Sequence, residues 1–195
     1  PRYNISPSQS VAVISNTKEF RLNFYRWGLI PSWAKDAEIG QRMINARAET
    51  LNEKPSFSKA YKERRCLILA DGFYEWMLNT GSKSKTPYYF HLKSGDAFAF
   101  AGLWDVWQAP DGSQVHSCTI ITTAPNSLIA PIHNRMPVIL TGEACERWLD
   151  SILPAGPCEA AFPMSGCGCD SVCNAAPPDP RYRRALWIAL VLNAL

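Results

Sequence analysis

The run AFAFAGLWDVWQAPDGSQVHSCTIITTA, residues 97–124, reads as two strands and a turn. Its halves, AFAFAGLWDVW (97–107) and VHSCTIITTA (115–124), are rich in β-branched and aromatic residues, which suit a packed, pleated surface. Between them, Ala109-Pro110-Asp111-Gly112-Ser113 carries the residues of a tight reversal, so the halves form a hairpin. The same texture recurs on either side, in VAVI (11–14), FRLNFYRWGLI (20–30), RCLILA (65–70), FYEWML (73–78), PYYFHL (87–92) and MPVIL (136–140). Turn signals stand at Asn79-Thr80-Gly81-Ser82 and at Lys93-Ser94-Gly95-Asp96, and the second reads as another hairpin loop. Helices are few. One spans Ser56 to Arg65 with Ser56 as N-cap, and one spans Thr141 to Leu149 with Thr141 as N-cap. Many short strands and few helices predict an α+β, mostly β domain: an open or closed barrel of mainly antiparallel strands with a few peripheral helices.

The chain has 195 residues, of which 47% are hydrophobic and 19% charged, enough to bury a core and to exclude global disorder. Net charge is +3, too weak a bias to argue for nucleic acid by itself. The longest apolar run, ALWIALVLNAL (185–195), is too short to span a bilayer, so no membrane role is expected. No secretory signal precedes the first strand, which points to a cytoplasmic protein. Residues 1–153 read as one domain. From 154 the texture shifts to a Cys-, Gly- and Pro-rich tail with no clear period, possible as the product of a shifted reading frame rather than a native ending. Cys66 and Cys118 lie in apolar strands and read as buried small hydrophobes. Cys145, Cys158, Cys167, Cys169 and Cys173 crowd toward the end. Their spacing lacks a paired second half and a nearby His, which argues against zinc, and no metal or other cofactor is expected. Disulfides fit poorly with a chain that shows no export signal.

Four stretches set polar residues in apolar surroundings: WGLIPSWAKD (27–36), INARAET (44–50), ADGFYEW (70–76) and APIHNRMPVIL (130–140). In INARAET, alternation puts Asn45, Arg47 and Glu49 on one face of a strand. In ADGFYEW, Glu75 sits between Tyr74 and Trp76. Desolvation there would raise its pKa and suit it to proton transfer; the competing reading is a surface carboxylate whose aromatic neighbours point inward. His133, on a loop entering an apolar strand, is either a placed acid–base group or a hydrogen-bonded loop His. His91 and His116 read as structural or exposed. Trp33 is either a shelf for a nucleobase or a core residue. Arg47 and Arg135 either pair with phosphate or form ion pairs, with Glu49 as an available partner. Together these are the parts of a site that handles an anionic polymer and moves protons.

In this order and spacing the four stretches, with PRYNISPSQ at the start, resemble the SOS response-associated peptidase (SRAP) family over roughly residues 1–140. The resemblance implies a barrel-like domain that senses abasic sites in single-stranded DNA as part of the DNA damage response. It implies a bacterial-type, nucleoid-associated protein. It also implies a covalent DNA–protein crosslink, in which the amine and thiol of an N-terminal Cys condense with the deoxyribose aldehyde to a thiazolidine. On that resemblance Asn45 positions the Cys, Glu75 handles protons at its amine, and His133 is acid and base at the sugar. Trp33, Arg47 and Arg135 contact DNA, and Glu49 holds Arg47 in place. The family's peptidase name fits removal of the initiator Met, since no protease triad order is legible.

One departure bears on activity. The family's Cys-Gly-Arg start is absent, and none of the seven Cys lies near Pro1. The expectation is an N-terminally truncated SRAP chain that does not crosslink as given. A non-catalytic single-stranded DNA-binding module is the alternative, because Trp33, Arg47 and Arg135 do not need the Cys.

Overall fold

The computed structural model describes residues 4–17, 19 and 21–150. The expected hairpin is its spine. Strands β7 (Phe98–Gln108) and β8 (Gln114–Thr123) pair antiparallel from Gly102–Ile120 to Gln108–Gln114. The outer half of β7 turns to β4 (Arg65–Ala70), which pairs with β1 (Ser10–Ser15), which pairs with β2 (Leu22–Trp27). The end of β2 then runs parallel to β8 at Arg26–Ser117 and Trp27–Cys118, which closes a five-stranded barrel in the order β7-β4-β1-β2-β8. That one parallel joint makes an otherwise antiparallel barrel mixed, and β3 (Asn45–Arg47) adds a second parallel pairing to β8 outside the closed ring.

Period two along the strands sorts the core into two layers. Val11, Val13, Tyr25, Cys66, Ile68, Phe98, Phe100, Cys118 and Ile120 form one cluster, facing inward. The alternate residues Leu67, Ala99, Ala101, Leu103 and Ile121 form a second, outer cluster with Phe57, Ala60 and Tyr61 of helix α1 (Pro55–Glu63) and Trp148 and Leu149 of helix α2 (Glu143–Leu149). Small residues at Ala99 and Ala101 let the helices approach the sheet. Arg65 of β4 clamps the two helices to the sheet. It is 4% exposed, and it donates to the carbonyls of Tyr61 at 3.0 Å and Asp150 at 3.3 Å while lying over the rings of Tyr61 and Trp148. Cys66 and Cys118 are buried as expected, and burial pushes both thiols up.

Several local expectations are corrected. Helix α1 begins at Pro55, with Lys54 in the cap position, so Ser56 lies inside the first turn; Pro55 needs no N–H partner there. Helix α2 follows Gly142, not Thr141. The hairpin loop is Asn79–Ser82, between β5 (Phe73–Leu78) and β6 (Lys85–Phe90). Lys93–Asp96 instead links that hairpin to the barrel, because β6 pairs with β5 and β7 pairs with β4. MPVIL is two short strands, β9 (Met136–Pro137) on β8 and β10 (Ile139–Leu140) on β7, with the Val138 N–H donating to Ile121 where the chain crosses over. The tail from 154, with its four cysteines Cys158, Cys167, Cys169 and Cys173, lies outside the described residues. Among the described residues no helix is long and apolar enough to cross a membrane.

Candidate functional site

The site starts from a tight backbone crossing. Gly28 ends β2 at φ +123°, and a Cβ there would lie 2.5 Å from the Gly40 carbonyl oxygen. This lets the chain turn off the barrel, pass through a short 3₁₀ helix (37–42) and return beside β8. The Trp27 indole donates to the Ile44 carbonyl at 2.9 Å and the Leu29 N–H to Met43 at 3.0 Å, which fixes where β3 enters. Ala46 is buried in the outer cluster, so alternation turns Asn45 and Arg47 the other way, into a cavity of about 720 Å³. Arg47 is exposed there and has no hydrogen bond or ion pair among the described residues.

The strand stops at Arg47. Residues 48–50 form a 3₁₀ turn, which swings Glu49 away from Arg47. Glu49 instead holds Arg135 in a two-pronged pair, Oε1 to Nη1 at 2.7 Å and Oε2 to Nη2 at 2.9 Å, and the Arg135 Nη2 also donates to the Thr122 carbonyl at 2.7 Å. The hydrogen bond from Arg135 holds the Glu49 carboxyl below its usual range. Because the strand ends one residue too soon, Glu49 makes its ion pair with Arg135 and not with Arg47, whose charge adds only a smaller downward pull on the carboxyl.

Glu75 comes from the β5–β6 hairpin. Its alternation partner Phe73 stacks on Phe90 at 5.2 Å and meets Phe100 edge-on at 5.8 Å, so this face of the hairpin turns toward the barrel. The Glu75 side chain is only 18% exposed, which removes the surface-carboxylate reading. Burial pushes its carboxyl up to about 7, against the opposing pull of His133. His133 Nδ1 stands 3.6 Å from Glu75 Oε2 and 2.9 Å from the Arg135 carbonyl oxygen. Asn45, Arg47, Glu75, His133 and Arg135 therefore share one cavity wall.

Trp33 does not line that cavity. It is 60% exposed on the loop after β2, held where the Ser32 N–H meets Asp105 Oδ2 at 2.9 Å and the Trp107 indole meets the Ala34 carbonyl at 2.7 Å. It is not a core tryptophan. His116 lies 5.2 Å from Tyr25 and His91 5.5 Å from Tyr89, in aromatic contacts rather than in the site.

Residues 1–161 match the family described as SOS response associated peptidase (SRAP). The chain belongs to the SRAP family. It is 54% identical over 151 residues to the abasic site processing protein YoqW of Bacillus subtilis, covering 77% of this chain and 67% of that protein. It is 35% identical over 188 residues to the abasic site processing protein HMCES of Rattus norvegicus, covering 77% of this chain and 53% of that one. The chain thus spans about two-thirds of the bacterial relative and about half of the mammalian one. Among solved structures, a Bacteroides thetaiotaomicron protein is 32% identical with a TM-score of 0.73, covering 89% of this chain and 79% of its own. A Bordetella bronchiseptica protein is 26% identical with a TM-score of 0.75, covering 90% and 87%.

The SRAP cavity also has walls that the sequence did not advertise. Gly72 lets the Tyr89 ring lie against the backbone, since a Cβ would come within 2.3 Å of it. Burial, then Asp71 and Tyr74, push the Tyr89 phenol up to about 12, so it stays a donor. The Trp76 indole N–H is buried without a partner. Residues Asn4 to Pro7 run along the same SRAP cavity. Among the described residues no group of His, Cys, Asp and Glu is arranged to hold a metal ion.

Proposed function

We propose that this SRAP domain binds single-stranded DNA at an abasic site and that its full-length form traps the abasic aldehyde covalently through an N-terminal Cys. The observation that carries the reading is the Glu75–His133 pair. It sets a carboxyl displaced to about 7 beside an imidazole, in a cavity that also presents Asn45 and the unpaired Arg47. Such a pair holds both a proton donor and a proton acceptor near neutral pH.

The chemistry follows from the groups. The Cys α-amine attacks the ring-opened sugar aldehyde, water leaves to give an imine, and the thiol adds to the imine carbon to close a thiazolidine. Glu75 takes a proton from the attacking amine, and His133 protonates the departing oxygen. Asn45, neutral and fixed by β3, orients the nucleophile without competing for its proton. Arg47 takes a backbone phosphate, and Arg135 adds positive charge beside it from its place on Glu49. Trp33, exposed outside the cavity, offers a shelf for a flanking base. Support for the substrate comes from relatives named as abasic site processing proteins.

Two proteins test this: the chain as given, and the chain extended upstream to start Met-Cys-Gly-Arg followed by the natural linker. Each is incubated with single-stranded DNA carrying one abasic site and run on a denaturing gel. A shifted band for the extended protein alone supports the reading. No band for either folded protein, with DNA still retained on a native gel, makes the domain a non-catalytic binding module.

A further inference from the structure

We propose that Glu49 is a positioning residue that acts through Arg135 to keep the proton of neutral His133 on Nδ1. The lock has three parts. The Glu49 carboxylate and the Thr122 carbonyl take three bonds from the Arg135 guanidinium, at 2.7, 2.9 and 2.7 Å. That fixes Arg135 against β8 and the turn after β3. The main chain of Arg135 then faces His133 Nδ1 with two groups of opposite demand. Its carbonyl oxygen lies at 2.9 Å and asks for a donor, while its N–H lies at 3.3 Å and asks for an acceptor.

The nearer group decides. The carbonyl at 2.9 Å outweighs the N–H at 3.3 Å, and a Glu75 carboxylate, 3.6 Å away and beyond hydrogen-bond reach, adds negative charge on the same side; together they place the hydrogen on Nδ1. Nε2 is then left with its lone pair facing the cavity side, able to take up the proton that it passes to the departing oxygen. If Glu49 lets go, the Arg135 side chain keeps its bond to Thr122 but loses both bonds to Glu49, and its main chain, anchored on one side by β9, can shift its carbonyl off Nδ1. The element that supplies the polar face of the cavity, β3 with its following turn, thus also sets the tautomer of a group on the opposite loop.

The naming of His133 as an acid–base group rests on the proposed function, but the tautomer does not depend on DNA. Long-range nitrogen–proton NMR on the chain as given, at alkaline pH where imidazoles are neutral, reads it directly. The chain has three His, and His133→Gln assigns the signal. The expected result is Nδ1–H in the wild type, a shift toward Nε2–H in Glu49→Gln, and recovery in Glu49→Asp, with the His91 and His116 signals unmoved as the check on folding. Nε2–H in the wild type overturns the proposal without any variant. An unmoved His133 in a folded Glu49→Gln also overturns it. In the extended protein, Glu49→Gln is expected to slow crosslinking about tenfold, with Asp partly restoring the rate. If no protein crosslinks, the proposed function fails and the NMR result still stands or falls alone.

Discussion

Replacing Glu75 by Gln should make the domain more stable above neutral pH and leave it little changed in acid. The folded carboxyl holds its proton up to about 7, whereas its ordinary value is 4.5. Between those two values the native state binds more protons than the unfolded chain, so the contribution of Glu75 to stability falls as pH rises through the window and is flat above it. At about 1.36 kcal/mol per pKa unit the whole displacement corresponds to about 3 kcal/mol. The side chain is 18% exposed, so little of this is lost to solvent screening. For a chain of this size, 1 kcal/mol is about 2–4 °C of melting temperature, which gives about 6–12 °C in all. The assay is thermal unfolding of wild type and Glu75→Gln across the range. The difference should open from near zero at the acid end to its full size above neutrality. A difference that is flat with pH would mean that Glu75 titrates as a solvated carboxylate, and the proton-transfer reading would lose its physical basis.

Arg47→Ala should weaken single-stranded DNA binding and reduce the slope of log affinity against log salt by about 0.7, the loss of one phosphate contact; an unchanged slope would take Arg47 off the DNA. Trp33→Ala should leave the melting temperature unchanged and cost about 1–3 kcal/mol of DNA affinity, measured by fluorescence anisotropy; a loss of stability instead would mark it as a packing residue. Arg65→Ala should lower the urea midpoint by about 2–4 kcal/mol of stability, because the Tyr61 and Asp150 carbonyls lose their donor and two rings lose their cation; a cost below about 1 kcal/mol would show the clamp to be dispensable. Gly28→Ala should destabilise by at least about 2 kcal/mol, since it meets both a positive φ and the Gly40 oxygen; a near-neutral result would contradict the crossing that delivers β3.

The barrel was legible where a single strand carried its own pattern. The β-branched and aromatic content of VAVI, RCLILA and AFAFAGLWDVW located β1, β4 and β7 to within a residue or so at each end, because strand preference is largely a local property. Closure was not legible. It depends on the parallel joint of β2 to β8, and parallel pairing leaves no mark in a turn. The misplaced hairpin has the same origin. Lys93-Ser94-Gly95-Asp96 has good turn chemistry, but turn chemistry says only that the chain bends, and the strands on either side found different partners. Helix starts failed for a related reason. Ser56 and Thr141 are good caps in isolation, yet Pro55 and Gly142 stand where the chain has already turned.

In the candidate site, residue types told more than contacts did. A Glu flanked by aromatics and a His on a proline-bounded loop are locally unusual, and both reached the cavity. Their pairing was invisible, because Glu75 and His133 come from a hairpin and a loop that meet only after the barrel closes. Glu49 shows the limit most clearly. Strict alternation from Asn45 puts it beside Arg47, and one more residue of strand would have kept it there. The turn at 48–50 breaks the period, so the carboxylate pairs with Arg135, and Arg47 makes no hydrogen bond or ion pair among the described residues. On the proposed reading this break favours the phosphate contact: a carboxylate ion-paired with Arg47 would compete with phosphate for its guanidinium, whereas this one is bonded to Arg135 beside the His133 loop.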